Sequence, residues 1–124
     1  DATGIHASMD LYGGGGLLMS ARDLALFTKA LFEGRIFDRP ETLQEMLRAG
    51  PHRGGEDYRL GIFVKSVGDR QFYWHSGFWG TIVYFVPDSG LAVAGVTTNQ
   101  AGFRDLLGVV EASIGASPGS AEAP

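Results

Sequence analysis

His75-Ser76-Gly77 is the segment of this sequence whose residue types lie closest to chemistry. It ends an aromatic stretch (Phe72, Tyr73, Trp74) and runs into Phe78, Trp79 and Gly80. An imidazole beside a hydroxyl suggests a base and a nucleophile. Neighbouring residues of a strand, however, point to opposite faces, so His75 and Ser76 would not naturally meet. A lone histidine at a strand end is more often a structural hydrogen-bonding group than a catalyst. The chain has no Gly-x-Ser-x-Gly elbow. Its two lysines, Lys29 and Lys65, are preceded at three residues' distance by Leu26 and Ile62, so it contains no Ser-x-x-Lys. It contains no Tyr-x-Asn either.

Other chemistries find less support. The run from Gly13 to Gly16 precedes a helical pattern, as a phosphate loop would, but no Gly-Lys-Ser/Thr follows and no third glycine completes a dinucleotide fingerprint. A close-packed loop leading into a helix is the better reading. His6, His52 and His75 are dispersed and no His-Glu-x-x-His occurs, so neither a metal nor any other cofactor is expected. With no cysteine, disulfides, thiol catalysis and thiolate metal sites are excluded.

The 124 residues suit one domain or a piece of a larger one. Hydrophobic residues make up 44% and charged residues 19%, an ordinary globular balance. A net charge of −4, with eight arginines scattered rather than clustered, points away from nucleic acid. No apolar run approaches the ~20 residues of a membrane span. The chain opens on Asp1 with neither initiator Met nor signal peptide, which reads as a processed, trimmed or partial chain.

The elements that must position His75-Ser76-Gly77 follow from periodicity. Ser20 N-caps a helix carrying Leu24, Phe27 and Leu31, with Gly34 as its C-cap. A second helix begins at Pro40 and stops at Gly50-Pro51. Alternation then takes over, with Tyr58, Leu60, Ile62 and Val64 on one strand face. Val67-Gly68-Asp69-Arg70 reverses into a strand over 71–75. Strands over 81–86 and 91–97 flank the turn Pro87-Asp88-Ser89-Gly90. A last helix covers 102–114, and 115–124 reads as a disordered tail. Such short links force antiparallel pairing. The expected class is α+β: an antiparallel sheet flanked by helices, one face covered by them, with the central run 82–86 buried on both sides.

Several segments, taken in order, resemble the β-lactamase-related serine hydrolases. That family takes in class C β-lactamases, D-alanyl-D-alanine carboxypeptidases, D-aminopeptidases and related esterases. Gly14-Gly15-Gly16-Leu17-Leu18-Met19-Ser20-Ala21-Arg22-Asp23-Leu24-Ala25-Leu26-Phe27 is similar to its glycine loop and following helix. Pro40-Glu41-Thr42-Leu43-Gln44-Glu45-Met46 looks like its next helix, and Tyr58-Arg59-Leu60-Gly61-Ile62 like its Tyr-Gly-Leu-Gly-Trp strand. His75-Ser76-Gly77 matches its third active-site motif, Lys-Thr-Gly or His-x-Gly. Pro87-Asp88-Ser89-Gly90 and Thr98-Asn99 match the hairpin and strand end beyond. Phe78-Trp79-Gly80 departs from the usual Gly-Gly-Thr-x-Gly, which suggests an aromatic-walled pocket.

The resemblance implies the C-terminal part of a β-lactamase/transpeptidase-like fold over 1–114. It also implies acyl-enzyme hydrolysis of β-lactams, D-amino-acid peptides or esters, in which a Ser-x-x-Lys serine attacks the carbonyl. Carried over, His75 assists electrostatically, Gly77 lets substrate lie against the strand, and the Phe78 N–H serves the oxyanion. Ser76, Trp79 and Asn99 contact substrate. The nucleophile would then lie N-terminal to this region, leaving the chain inactive alone. The alternative is a non-catalytic binding or interaction module keeping this half of the fold. Expected partners are the N-terminal part of the same hydrolase or a second copy of the chain, covering an open strand edge and apolar surface, and a small-molecule substrate in the full enzyme. The resemblance favours a periplasmic or secreted setting; the residues themselves leave a cytoplasmic one open.

Overall fold

Residues 4, 6 and 15–116 are described by the computed structural model. The expected disordered tail lies outside them from residue 117 onward, as does part of the glycine run.

Helix α1, Ala21–Phe32, begins where Ser20 Oγ accepts from the Asp23 N–H at 3.1 Å and donates to Asp23 Oδ2 at 2.7 Å. The hydroxyl caps the first turn and the Asp23 carboxylate holds it there. Gly34, at φ 73°, ends it in the left-handed region, with the Arg35 N–H returning to Ala30 O at 2.8 Å. The stretch leading into the helix is not close-packed as expected: residues 15–20 are exposed, Leu17 at 78%. Helix α2, Pro40–Leu47, starts on its proline but ends before Gly50. Arg48 turns extended and chelates Glu45 at 2.9 and 2.6 Å, and the Leu60 N–H takes the Met46 carbonyl at 3.2 Å. The backbone N–H groups of Arg48 and Leu60 thus answer last-turn carbonyls, and the helix ends three residues early.

The first strand is also shorter than the alternation predicts. Strand β1 is Phe63–Val67, and Tyr58 joins Phe63 through an isolated bridge. Between them the chain reverses, with the Arg59 N–H on Ile62 O at 2.8 Å and Gly61 at φ 77°. Leu60 sits at the tip, exposed, while Ile62 is buried, so the two do not share a strand face. A glycine able to take positive φ converts the expected strand into a turn.

Strands β2 (Arg70–Ser76), β3 (Thr81–Val86) and β4 (Leu91–Val96) follow, and the sheet is an antiparallel meander in the order β1-β2-β3-β4. Register pairs Tyr73 with Phe85 and His75 with Val83, placing these four on one face. Phe32 of α1 stacks on Tyr73 and Phe85, with centroids 4.9 and 4.4 Å apart. Lys29 Nζ donates to Gly90 O at 2.7 Å and pins α1 to the β3–β4 turn.

Helix α3, Phe103–Ile114, covers the other face. There Phe72, Ile82, Tyr84 and Val86 form the core with Val110 and Ile114. Both faces are therefore covered, as expected for the central run 82–86 and as the all-apolar β3 requires. Gly95 permits the close approach of α3, since a Cβ there would lie 2.7 Å from Leu106 Cδ1. Within this layer Glu111 Oε1 accepts from Lys65 Nζ at 2.7 Å and from the Tyr84 hydroxyl at 2.6 Å. Gly115 caps α3 at φ 66° and Ala116 is fully buried, so packing extends two residues into the segment expected to be a tail.

Candidate active site

The register fixes what meets at one end of the sheet. Ser76 pairs with Ile82 and Thr81 with Val96, so the β2–β3 link lies beside the exit of β4. That link is a tight turn: the Gly80 N–H donates to Gly77 O at 3.0 Å and the Gly77 N–H to Thr81 O at 2.9 Å. Phe78 and Trp79 occupy its two central positions. The Thr97 N–H then donates to Gly80 O at 2.9 Å, closing turn and strand exit together. Gly80, at φ 89°, is required twice over, because a Cβ there would also collide with Thr97 O.

Beyond β4 the chain is held by its own side chains. Thr97 Oγ1 accepts from the Asn99 N–H at 3.2 Å, and Asn99 Oδ1 accepts from the Ala101 N–H at 3.0 Å. Asn99 thereby caps the short 3-10 turn Gln100–Gly102 that feeds α3. This turn takes up the first residue of the helix expected from 102.

Between turn and strand exit opens a cleft of about 820 Å³, lined by residues 76–80 and 97–100 and by Phe103. Phe78 and Trp79 meet edge to face, centroids 5.1 Å apart at 88°. Both rings are exposed. The Phe78 N–H has no hydrogen-bond partner among the described residues. Such an N–H at a cleft rim can donate to a carbonyl oxygen gaining charge.

Of the residues singled out from sequence, Ser76, Gly77, Phe78, Trp79 and Asn99 all line this cleft. His75 does not. It belongs to the α1 face, half-buried, with the Tyr58 hydroxyl 3.4 Å from its Nε2 and the Phe63 ring 5.3 Å from its own. Gly77 has a local reason of its own. A Cβ there would lie 2.5 Å from Thr81 Oγ1, so the glycine makes room for that hydroxyl. Sequence reasoning missed Gly80, Thr97, Thr98, Gln100 and Phe103 as lining residues. The register signals the first two, because antiparallel strands ending at 81 and 96 put 80 opposite 97. Tyr58 as partner of His75 had no signal, since it was read into a continuous strand. Among the described residues no group of three or more acidic, histidine or cysteine side chains gathers as a metal site would need. No helix among them is long and apolar enough to cross a membrane.

Comparison with curated proteins and with solved structures returns no match. Comparison with protein-family models returns one for residues 1–113, described as Beta-lactamase. It spans both helices before the sheet, the whole meander and nearly all of α3. With α+β architecture and a match over most of its length, the chain belongs to the β-lactamase family.

Proposed function

We propose that this chain carries the substrate-binding wall of a serine hydrolase acting through an acyl-enzyme, on β-lactams, D-amino-acid peptides or esters. The observation that carries the reading is the turn over 77–80, which puts the Phe78 N–H, without a hydrogen-bond partner among the described residues, on a cleft shared with Asn99. In this account the N–H of Phe78 binds the carbonyl oxygen as it becomes an oxyanion. A donor of that kind is worth ~3 kcal/mol of barrier. Ser76, Trp79 and Asn99 bound the substrate, and Gly77 keeps the strand end open. His75, across the strand and held near Tyr58, contributes electrostatically without entering the cleft.

The nucleophile comes from outside these residues. A Ser-x-x-Lys serine would attack the carbonyl, expel the leaving group and be freed by water. No such motif occurs in the 124 residues; in this account the chain is the C-terminal portion of the catalytic domain, over 1–114, and is inactive alone. The same absence favours, as a second reading, a binding module without catalysis. Turnover of nitrocefin and of p-nitrophenyl esters separates them. Activity that arises only when a segment bearing Ser-x-x-Lys is supplied supports the hydrolase; its failure to arise with a folded complementary segment supports the binding module.

A further inference from the structure

We propose that Arg59 is a carboxylate anchor, whose guanidinium takes a carboxylate that is either free in solution or carried as a side chain by a second copy of the chain. The inference is independent of the acyl-site reading. Only 10% of the Arg59 side chain is exposed. Among the described residues, its Nε is the one buried side-chain nitrogen or oxygen without a hydrogen-bond partner. Nη2 meets Glu56 Oε2 at 3.5 Å, well beyond the ~2.8 Å of a charge-assisted bond, and that glutamate is 84% exposed. Arg48 shows a full pairing at the same i,i+3 spacing: it holds both oxygens of Glu45, at 2.9 and 2.6 Å, while 63% exposed. The exposed guanidinium is chelated and the buried one is not. That is the reverse of what solvation requires, because a charge withdrawn from water is costly until it is paired.

The backbone fixes Arg59 in this position. Its N–H donates to Ile62 O at 2.8 Å, and the next N–H, that of Leu60, donates to Met46 O at 3.2 Å. The reversal over 58–62 stands at the end of the sheet where β2 finishes, with the Tyr58 ring against Phe63 and His75. Arg59 is therefore at the sheet end that carries the cleft, but outside the cleft's lining. In a guanidinium, Nε–H and one N–H of Nη2 project from the same edge of the planar group. A carboxylate that replaces Glu56 at Nη2 meets Nε with its second oxygen. Glu56, already in water, gives way.

The test follows the Arg59 Nε–H by ¹⁵N NMR in the 124-residue chain at mildly acidic pH. Sodium acetate, sodium chloride and neutral acetamide are added separately, the two salts at matched ionic strength. Acetate is expected to move the signal saturably, with an affinity about tenfold or more above either control. Arg59→Lys keeps the charge without the fork, and is expected to weaken acetate about tenfold, read at the amides of Leu60 and Gly61. Glu56→Gln removes the competing carboxylate and is expected to tighten acetate about threefold. Given the acetate response, a signal that also moves on dilution without acetate assigns the carboxylate to a second copy, and one that does not assigns it to a small molecule. A wild-type signal that acetate leaves in place means that the guanidinium is satisfied within the chain, and overturns the proposal. So does one that acetamide or chloride moves as readily as acetate.

Discussion

Gly80 and Thr97 hold the candidate site together by direct backbone contact. The Thr97 N–H donates to Gly80 O at 2.9 Å, and the glycine's missing Cβ is what lets Thr97 O sit against it. The contact joins the β2–β3 turn to the exit of β4 and so sets the distance between the cleft's two walls. Gly80→Ala combines a left-handed φ with a backbone collision. It should cost about 3 kcal/mol in urea unfolding. An alanine that costs only a few tenths of a kcal/mol would mean the two walls are not locked.

Phe78→Pro removes the N–H assigned to the oxyanion at a turn position that proline accepts well. In an enzyme reconstituted with its nucleophile, kcat should fall about 100-fold or more with KM little changed. Equal loss in both constants, or none, would move the oxyanion donor elsewhere.

How far the site was legible in the sequence depended on which contacts were local. The turn over 77–80 and the cap by Asn99 are set by glycine and asparagine chemistry within a few residues, and the strands' alternation placed β2 to β4. The reversal at Gly61 was hidden because Tyr58, Leu60, Ile62 and Val64 keep a strand's period through it. Only the positive φ of Gly61, with the Arg59 N–H on Ile62 O, breaks the pattern. The fate of His75 was hidden for the same reason, since it meets Tyr58 through that reversal. Coverage of both sheet faces was half-visible, in the apolar run of β3, but α1's seat on Tyr73 and Phe85 is a long-range stacking no local rule encodes.

That seat gives a prediction of its own. Phe32 is the ring through which α1 stacks on β2 and β3, so Phe32→Ala should destabilise the chain by about 3 kcal/mol. Hydrogen exchange should show α1 opening before β2 and β3. Uniform loss of protection across the sheet would contradict a local role for the contact.

Tyr84 supplies the pH dependence. Burial, and then its hydrogen bond to the Glu111 carboxylate, raise its phenol well above the ordinary 10.0. A folded-state value raised above the unfolded one stabilises the fold fully below the unfolded value, and that contribution is lost as pH rises past it. Stability should therefore hold up to about pH 10 and fall beyond it. Tyr84→Phe should flatten that alkaline slope, while costing about 2 kcal/mol at neutral pH through the lost bond to a charged acceptor. An unchanged slope would show that other groups govern alkaline unfolding.

The central claim is that these residues form an acyl-site wall whose nucleophile lies elsewhere. Its most direct test is the intact mass of the 124-residue chain after exposure to a fluorophosphonate, alone and then with a complementary segment bearing Ser-x-x-Lys. The account predicts an unmodified mass in the first case, and in the second a single adduct on the complementary serine with this chain still unmodified. A stoichiometric adduct on Ser76, or on any other serine of this chain, would contradict it.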